Sequence, residues 1–477
     1  MQPVLTVPEM NAVDAAALAS TPLDVLVGRA GLAVALAALD LLGGAYGRRI
    51  EVVAGRGNNG ADGRVAAQVL SCRGARVRVV EAGAVAAVGP ADLVVDAAYG
   101  TGFRGEYRAP ALVPGTPVLA VDIPSGVEGD TGRASGTPWA ATRTVTFVAL
   151  KPGLLQGDGA SLAGRVSVAD IGLPTGEAHV SVMDDGDAGT FLPPRARDGH
   201  KWSASLLVVA GSPGMTGAAA LCATSAYRSG AGMVRLGVPG GELSATPASE
   251  AVGVSLPAEG WSTDALTAAA RCSALVVGPG LGRDPSTAVE VRRLVTESPV
   301  PVVVDADGLF ALGRLDGPDH SGSLGATGAR SGLVLTPHDG EYARLMSGPP
   351  GPDRIGAARA LASASGAVAL VKGPTTAVAD PGGRVLLGRT GTPALATAGT
   401  GDVLSGVIGA FLARGLDPLV GAALAAHVHG RAGARGKGEG LMAGDLPDLV
   451  AQVLTELGPT GRSDRSRPTN GVVRTLG

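Results

Sequence analysis

Short apolar runs alternate with longer amphipathic or glycine-rich segments along most of the chain. In the first half we interpret these runs as buried strands of a parallel sheet, because such strands are apolar on both faces. A helical segment at 63–70 separates two of them, and alternating strands and helices indicate an α/β fold. The predicted strands of the first half are residues 49–54, 76–80, 93–97, 118–123 and 145–149.

The segment 184–200 interrupts this rhythm with Asp-Asp-Gly-Asp, a Pro-Pro pair and mixed charges, so we interpret it as a linker. The tail 458–477 is rich in Arg, Ser, Pro and Gly and is predicted to be disordered. We therefore predict two α/β domains, at 1–187 and 188–457. The predicted strands of the second half are residues 206–210, 234–238, 275–278, 302–305, 333–336 and 368–371.

Composition narrows the class of protein. The chain has 477 residues, a net charge of −3 and 3% aromatic residues. A nucleic-acid-binding protein needs a basic face and stacking rings, so we expect no nucleic-acid partner. Three widely separated cysteines fit a reducing compartment. Residues 1–10 lack the pattern of a signal peptide, and the apolar run 31–42 is interrupted by Asp40 and is too short to span a bilayer. We therefore expect a cytoplasmic protein without a membrane partner.

The stretch 397–412 combines a glycine-rich half with an apolar half. We expect a tight Gly399-Thr400-Gly401 turn and then a helix that ends near Arg414. The first N–H groups of such a helix lack intrahelical acceptors and lie at the positive end of its dipole, so they can bind phosphate. Asp402 would follow in the first turn, where it can remove the proton of a hydroxyl that attacks phosphorus. An ordinary helix start with an acidic first turn explains the same residues, and the stretch alone leaves both interpretations open.

The run 55–60 matches G-x-G-x-x-G directly after a predicted strand, and Glu81 follows the next strand, where a dinucleotide-binding fold has its ribose-binding acid. This pattern favours an NAD-dependent dehydrogenase. Against it, Asp62 would lie in the first helical turn beside the pyrophosphate, and Asn58 and Asn59 stand where backbone should approach it. Side-chain carbonyls and carboxylates on one loop suit a cation or a polyhydroxylated ligand better.

Two further loops carry an acid at the carboxyl end of a predicted strand. One runs from Asp96 to Gly102, and the other, at 121–126, contains Asp122. Ligands bind at this edge of an open α/β sheet, so the three loops are expected to meet over one crevice. A single aspartate at such a position is more often a loop cap than a catalyst, but the three together favour a site.

The run 57–63 (Gly-Asn-Asn-Gly-Ala-Asp-Gly), the Asp-x-x-x-Gly-Thr-Gly run at 96–102 and the Val-Asp-Ile-Pro-Ser-Gly run at 121–126 resemble signatures of the NAD(P)HX epimerases. Ala61 departs from the glycine that is usual there. The resemblance implies a Rossmann-like domain that interconverts the R and S epimers of hydrated NADH or NADPH, with Asp122 as the acid/base residue. It implies a potassium ion bound by Asn59, Asp96 and Ser125. The other implied substrate contacts are Asn58, Asn59, Gly60, Ala61, Asp62, Gly100, Thr101, Gly102, Phe103, Arg104, Gly105 and Glu106.

Six motifs of the second half, introduced by His200-Lys201, resemble in order those of the ADP-dependent NAD(P)HX dehydratases, which have a ribokinase-like fold. They are 210–218, 278–282, 305–307, 336–341, 372–376 and 399–402. Phe310 stands where the family usually has asparagine, and Trp202 where it has glycine. The resemblance implies ADP as co-substrate, Mg²⁺ on its phosphates and Asp402 as the base. The implied substrate contacts are Ala218, Gly280 and His338, and the implied nucleotide contacts are Lys372, Gly373, Pro374, Thr375, Thr376, Gly399, Thr400 and Gly401.

The residue types in these motifs agree with the implied roles. Lys372, at a strand end before Gly-Pro and two threonines, offers a cation and hydroxyls to phosphate. His338 follows Thr-Pro at a strand end and can hydrogen-bond a substrate group, although a lone histidine is more often structural. His427 and His429 would point to different sides of a helix, so we interpret them as surface or packing residues and not as metal ligands.

Together the resemblances extend to about residue 455 and imply a fused, bifunctional repair enzyme, which we expect to be a homo-oligomer. The second domain would phosphorylate the ring hydroxyl of the S epimer with the terminal phosphate of ADP, and elimination would release phosphate, AMP and NAD(P)H. Three alternatives stay open: an ATP-dependent sugar or vitamin kinase, an NAD-dependent dehydrogenase and a non-catalytic nucleotide-binding module. Turnover that depends on ADP, and is no better with ATP, would distinguish the repair enzyme from a kinase. A hydride-transfer assay would distinguish it from a dehydrogenase.

Overall fold

The structure is a computed structural model that describes residues 1–195, 197–241, 248, 250–317 and 332–458, together with the backbone of Val473–Thr475. The chain divides into two compact units. The N-terminal unit consists of residues 2–179 with 468–477, and the C-terminal unit consists of residues 180–467 with Met1.

A parallel sheet forms the centre of the N-terminal unit. Its elements among the described residues are β1 (Gln2–Val4), α1 (Val7–Leu18), α2 (Leu23–Leu42), β2 (Arg49–Ala54), α3 (Asn58–Cys72), β3 (Arg76–Glu81), β4 (Leu93–Ala97), β5 (Tyr107–Arg108), β6 (Val118–Val121), β7 (Gly136–Thr137), β8 (Arg143–Phe147), α4 (Gly159–Leu162) and β9 (Arg165–Ala169). The sheet runs in the order β9-β8-β6-β4-β2-β3 with parallel pairs throughout, and β5 pairs with β7 separately.

The two faces of this sheet are covered differently. On one face, α2 and α3 pack with alanine-rich sides against residues such as Val52 and Val95. On the other face, Val53 and Val94 contact an aromatic cluster that contains Trp139. Every residue of β4 and β6 is buried, which explains why their sequences, apart from Asp96, are apolar without alternation.

A longer sheet forms the centre of the C-terminal unit. Its elements among the described residues are β10 (Val180–Val182), α5 (Asp185–Phe191), β11 (Ser205–Val209), α6 (Thr216–Arg228), β12 (Met233–Gly237), β13 (Val252–Val254), α7 (Ser262–Ala269), β14 (Ala274–Val277), α8 (Pro285–Glu297), β15 (Val302–Val304), α9 (Asp307–Leu312), β16 (Leu333–Leu335), α10 (Asp339–Leu345), α11 (Arg354–Ser365), β17 (Val368–Val371), β18 (Thr376–Ala379), β19 (Val385–Gly388), α12 (Thr400–Ala413), α13 (Pro418–Arg435) and α14 (Leu446–Leu457).

The order of this sheet is β10-β19-β18-β17-β16-β15-β14-β11-β12-β13. Its pairs are parallel except where β18 lies antiparallel to both of its neighbours. Helix α12 packs against α6 and runs through the core with all but its first turn buried. Its long apolar sequence is therefore that of a core helix whose N-terminus opens at the carboxyl edge of the sheet. The predicted α/β class is confirmed.

All predicted strands are present, most within one or two residues of the predicted bounds. The interpretation of 184–200 as a linker is wrong in part, because α5 lies within it. Asp184 caps this helix by accepting hydrogen bonds from the amides of Gly186 and Asp187. The compact units divide at 179/180, a few residues before the predicted domain boundary, because β10 pairs with β19. The predicted disorder of 458–477 falls largely outside the described residues; the backbone of Val473–Thr475 forms a strand antiparallel to β9.

Helix α2 is longer than the apolar run read from the sequence. By length and composition it could cross a membrane. One side of it, which includes Val34 and Ala38, is buried in the core of the N-terminal unit against α3. This is the position of a core helix. The opposite side exposes Val25, Leu32 and Leu36.

Candidate active sites

The N-terminal unit contains a cavity of about 1000 Å³ at the carboxyl ends of β2, β3, β4 and β6. The predicted crevice is therefore present. Of the predicted substrate residues, Asn58, Asn59, Asp62, Gly100, Thr101, Gly102, Phe103, Arg104 and Asp122 line it. Gly60, Ala61, Gly105 and Glu106 are not among its lining residues. Gly60 instead packs under the carbonyl of Gly55, so it supports the loop without facing the cavity.

Asp122 is the most constrained acid of this cavity. It has a φ of +66°, a left-handed conformation that only a few non-glycine residues adopt. Lys151 Nζ lies 2.7 Å from its Oδ1, and the Thr146 hydroxyl donates to the same oxygen at 3.0 Å. Burial would raise the pKa of Asp122, but the charge and hydrogen bond of Lys151 hold it below its usual range. Asp122 is therefore held ionised and fixed in position.

Lys151 was not predicted from the sequence. Its side chain is 1% exposed, and it also donates to the Phe147 carbonyl at 2.9 Å. A signal was available, because only four of the 39 lysine and arginine residues of this chain are lysines. In a chain that uses arginine almost everywhere, a lysine a few residues after a buried strand indicates a site that needs an ammonium.

Two more carboxyl groups line the same cavity. Burial, and then the charges of Asp122 and Asp14, raise the pKa of Asp62 to about 8. Burial also raises the pKa of Asp14, which sequence reasoning missed. Asp62 lies in the second turn of α3 and not in the first as expected, because the helix begins at Asn58. At neutral pH the cavity therefore holds an ionised Asp122 beside a protonated Asp62, which is an acid and a base in one site.

The three predicted potassium ligands are brought to the same loop cluster. Asp96 and Ser125 are fully buried; the Ser125 hydroxyl donates to Asp96 Oδ1 at 2.6 Å and its amide donates to Oδ2 at 2.9 Å. Asn59 has a buried amide nitrogen without a hydrogen-bond partner among the residues described. Rotating this amide by 180° exchanges its nitrogen and its oxygen, so that the carbonyl oxygen of Asn59 takes the buried position and can act as a cation ligand. Carboxylate, hydroxyl and amide oxygens fit an alkali cation.

The second site lies at the N-terminus of α12. Gly399 adopts φ +90°, which permits the sharp turn into the helix. The Thr400 hydroxyl donates to the carbonyls of Leu395 and Thr397, which ties the turn down. The next amides, of Gly401 and Asp402, have no acceptor within the part of the chain described. The predicted anion-binding turn is present as geometry, and Asp402 lies in the first helical turn.

An ion pair lies under this turn. Lys372 Nζ is 2.8 Å from Asp305 Oδ1, and the hydroxyl of Ser405 donates to Oδ2 at 2.7 Å. A Cβ on Gly401 would lie 3.4 Å from Lys372 Nζ, so the ammonium sits directly against the turn. Burial, and then the charge of Asp305, raise the pKa of Asp402 to about 6, while Lys372 opposes the shift. Asp402 therefore titrates close to neutral pH, which suits a general base.

The predicted nucleotide loop 372–376 is supported by a residue that sequence reasoning missed. Arg354, 8% exposed, hydrogen-bonds the Lys372 carbonyl and Asp339. Its guanidinium lies against Gly373, where a Cβ would come within 2.6 Å of it. Lys372 itself is held by Asp305 and by Glu341 at 3.9 Å, so it is a paired cation and not a free one.

The predicted substrate contacts of the second unit lie in two places. His338 is the N-cap of α10: its Nδ1 accepts from the amides of Gly340 and Glu341, while the side chain is 61% exposed. Ala218 and Gly280 are neighbours, since a Cβ on Gly280 would lie 3.2 Å from that of Ala218. Phe310 is 43% exposed and lies between the guanidinium groups of Arg283 and Arg344.

His427 and His429 are both buried, so they are packing residues and not surface residues. His427 contacts Asp185, and His429 hydrogen-bonds the main chain of Thr400. Burial lowers the pKa of His429 to about 4, so it is neutral and supports the α12 turn from behind.

Family models match both units. A model described as NAD(P)H-hydrate dehydratase matches residues 206–456, and one described as YjeF-related protein N-terminus matches 23–90 and 80–153. The bifunctional NAD(P)H-hydrate repair enzyme Nnr of Moorella thermoacetica is 40% identical over 473 residues, which cover 86% of this chain and 88% of that protein. The Nnr of Salinibacter ruber is 38% identical and covers 97% of this chain and 98% of that protein. The chain belongs to the bifunctional NAD(P)H-hydrate repair enzymes.

Solved structures resemble the C-terminal unit. A Streptococcus mutans protein matches with a TM-score of 0.50 at 19% identity, over 58% of this chain and 99% of that one, a likeness of fold alone. A Bacillus subtilis ADP/ATP-dependent NAD(P)H-hydrate dehydratase, co-crystallized with ATP/Mg²⁺, is 29% identical with a TM-score of 0.47, over 57% of this chain and 97% of that one.

The predicted family of repair enzyme is therefore confirmed, with its isomerase and lyase halves. The dehydrogenase and kinase alternatives name other families, and the chain belongs to neither. The roles of individual site residues are taken up as proposals below.

Proposed function

We propose that this repair enzyme epimerises R- and S-NAD(P)HX in its N-terminal unit and dehydrates S-NAD(P)HX with ADP in its C-terminal unit. The observation that carries the proposal is the position of Asp402, a carboxyl group with a pKa of about 6. It follows Gly401, whose amide has no hydrogen-bond acceptor among the described residues. A base and an anion-binding turn are what phosphorylation of a hydroxyl requires.

In the second site, the terminal phosphate of ADP rests against the turn Gly399–Gly401, where the Gly401 amide has no acceptor among the described residues. Asp402 takes the proton of the ring hydroxyl as its oxygen attacks phosphorus, and the bond to the AMP oxygen breaks. Phosphate then leaves the ring carbon while the neighbouring carbon loses a proton, which restores the double bond of NAD(P)H. Hydroxide is a poor leaving group and phosphate is a good one. Phosphorylation before elimination therefore explains why the reaction needs a phosphoryl donor.

The charge of the transferred phosphate needs more than one cation. Magnesium supplies this charge when it is bound to nucleotide phosphates. Among the described residues, no group of three acidic, histidine or cysteine side chains is placed to hold a metal. Such an ion would therefore be held mainly by the phosphate oxygens of the nucleotide. The ammonium of Lys372, paired with Asp305, lies against the turn that would receive the phosphate.

In the first site, the ionised Asp122 acts on the hydroxyl-bearing carbon of the hydrate as the acid/base residue, with Lys151 holding it in place. Tyr99, which lines the cavity and is 40% exposed, offers a face on which the ring can stack. A potassium ion, held by Asn59, Asp96 and Ser125, would orient the loop at 96–102 and the substrate on it.

Other features of the chain support three further parts of the proposal. Cys72, Cys222 and Cys272 are unpaired thiols, which fits a cytoplasmic location. The exposed apolar side of α2 supports a homo-oligomer. The partners are then small molecules, NADHX, NADPHX and ADP, without nucleic acid or membrane.

The experiment that tests the proposed function is incubation of the protein with hydrated NADH, ADP and Mg²⁺ while the absorbance of the reduced nicotinamide is followed. Recovery of absorbance with release of one AMP per NADH is expected. Equal or better turnover with ATP would point to another donor, and recovery without AMP would exclude phosphorylation as the step.

A further inference from the structure

The three glycines of the run 55–60 have different surroundings, and the proposed reaction gives none of them a role. A Cβ on Gly55 would lie 1.9 Å from the carbonyl oxygen of Ala98, and one on Gly60 would lie 1.9 Å from that of Gly55. A Cβ on Gly57 would meet nothing within 4 Å, and Gly57 lines the cavity. These are the three roles of a dinucleotide-binding turn: a tight turn, an open approach for pyrophosphate and close packing of helix on strand.

The helix that follows is positioned for the same purpose. Helix α3 begins at Asn58, and its first i→i−4 bond runs from the Ala61 amide to the Gly57 carbonyl at 3.1 Å. Gly57 is its N-cap, and because glycine has no side chain, no cap hydrogen bond occupies the first amides of the helix. Asp62 lies one turn further along α3 than the sequence indicated, so its carboxyl group does not lie beside a pyrophosphate bound at the start of the helix.

Glu81 lies at the carboxyl end of the neighbouring strand. The register pairs it with Ala54, the residue before Gly55, and the amide of Ala82 donates to the Ala54 carbonyl at 3.0 Å. Glu81 lines the same cavity as Gly57 and Asp122. Its exposed carboxylate has no hydrogen-bond partner among the residues that the structure describes.

A second, independent feature indicates that a polar ligand fills this cavity. Asp62 is 7% exposed and lines the cavity, and its carboxyl group has no hydrogen-bond partner within the described ranges. A buried polar group without a partner is costly unless a ligand or water supplies one. A polar molecule that spans the cavity would supply hydrogen-bond partners to both Asp62 and Glu81.

We propose that the first site binds its dinucleotide with the pyrophosphate over Gly57 and the adenosine ribose at Glu81, and therefore prefers the hydrate of NADH to that of NADPH. This inference rests on the proposed epimerase function and deepens it. A carboxylate accepts a hydrogen bond from the ribose 2′-hydroxyl but repels a 2′-phosphate. The reacting ring then reaches Asp122 at the other side of the cavity. Arg56, which also lines it, is the residue that would favour a 2′-phosphate instead.

The test measures epimerisation of pure R-NADHX and R-NADPHX by chromatography without ADP, so that the second site is silent. Glu81→Gln removes the charge and keeps the shape. Glu177→Gln is the matched control, because Glu177 is exposed on the same unit and is not among the residues that line the cavity. Gly57→Ala adds a methyl group at a φ of −87° with room around it, so the fold tolerates it while the approach of pyrophosphate is blocked.

The wild type and the Glu177 variant should prefer R-NADHX in kcat/KM by roughly tenfold or more, the scale of one charged hydrogen bond. Glu81→Gln should remove most of this preference, by losing rate with NADHX and gaining it with NADPHX. Gly57→Ala should raise KM for both hydrates alike and leave their ratio unchanged. An unaltered ratio in Glu81→Gln, or a wild-type preference for NADPHX, would overturn the inference.

Failure of the proposed function looks different. If the wild type interconverts neither hydrate faster than the spontaneous reaction, the epimerase proposal fails. The Glu81 inference is then decided by calorimetric titration with NAD⁺ and NADP⁺. A Glu81→Gln variant that binds NADP⁺ more tightly than the wild type supports it, and unchanged affinities for both contradict it.

Discussion

Lys372 Nζ lies 2.8 Å from Asp305 Oδ1, directly under the helical turn that carries the proposed base. The N-terminal unit repeats this relationship, with Lys151 Nζ 2.7 Å from Asp122 Oδ1. In both units a lysine, rare in this chain and at most 21% exposed, pairs with an aspartate that follows a strand of the sheet. Each site thus combines carboxyl groups with one ammonium that balances their charge.

Asp402→Asn should abolish most dehydratase turnover, by about 10²–10⁴ in kcat, because the change removes the base but keeps the shape. ADP binding should persist, since the amides of the turn stay in place. Turnover with saturating S-NADHX and calorimetric titration with ADP measure the two effects. Near-normal turnover would leave the turn as an anion site only.

The pH dependence follows from the same residue. The pKa of Asp402 is raised to about 6, so the base is ionised above that pH and protonated below it. The dehydratase kcat/KM should therefore fall as the pH drops through about 6. Because a raised carboxyl pKa means that the fold disfavours the charged form, Asp402→Asn should also be more stable than the wild type at neutral pH. Thermal unfolding at pH 5 and pH 7.5 measures this, and a difference that does not grow with pH would contradict it.

Lys372→Met should destabilise the C-terminal unit by about 3 kcal/mol or more, because it leaves Asp305 buried without its partner. The double variant with Asp305→Asn should recover much of that loss. The acid limb of the dehydratase profile should shift to higher pH in Lys372→Met, since this lysine opposes the raised pKa of Asp402. Denaturant unfolding of both single variants and the double variant gives the coupling, and additive losses would mean that the two residues do not act as a pair.

Asp122→Asn should stop epimerisation and leave dehydration of the S epimer intact. Asparagine tolerates the left-handed conformation at φ +66°, so the backbone is kept. The change leaves the buried Lys151 without its carboxylate, so thermal unfolding must show that the N-terminal unit of the variant is still folded at the assay temperature. With a mixture of both epimers and ADP, the variant should consume the S epimer and leave the R epimer unconverted. Thr131→Val is the control: it removes a part-buried loop hydrogen bond to Glu128 on the same unit, and Thr131 does not line the cavity. Consumption of both epimers at the wild-type rate would make Asp122 structural.

Ser125→Ala should weaken the response of epimerisation to potassium, because it removes a hydroxyl from the proposed ligand set. Wild-type epimerisation should fall when potassium is replaced by lithium, whose size does not match the same oxygens, while dehydration changes little. Titration of epimerase rate against potassium measures both. A rate independent of the cation in the wild type would exclude the ion from this site.

The strands and the motif loops could be predicted because each depends on local sequence. Arg49–Ala54 and Leu93–Ala97 are short and mostly apolar, and both occur with the predicted bounds. The turn at Gly399 was predicted for the same reason, since a glycine-rich segment before an apolar run has few other structures.

The partners of these loops could not be predicted, because they come from distant positions. Arg354 reaches the Lys372 carbonyl from a helix earlier in the chain, and Asp14 reaches the first cavity from the N-terminal helix. Helix α5 was missed because its Asp-rich start resembles a linker until the cap of Asp184 is seen. The position of Asp62, one turn later than expected, depended on the residue at which α3 begins.

Repair of both epimers by one chain can be tested in a single reaction. Pure R-NADHX is supplied to the wild-type protein with ADP, Mg²⁺ and K⁺, and the absorbance of NADH and the release of AMP are followed together. Complete conversion is expected, faster than spontaneous epimerisation, with one AMP per NADH. Conversion no faster than the spontaneous rate would show that the N-terminal unit is not an epimerase, and NADH formed without AMP would show that the dehydratase does not use ADP.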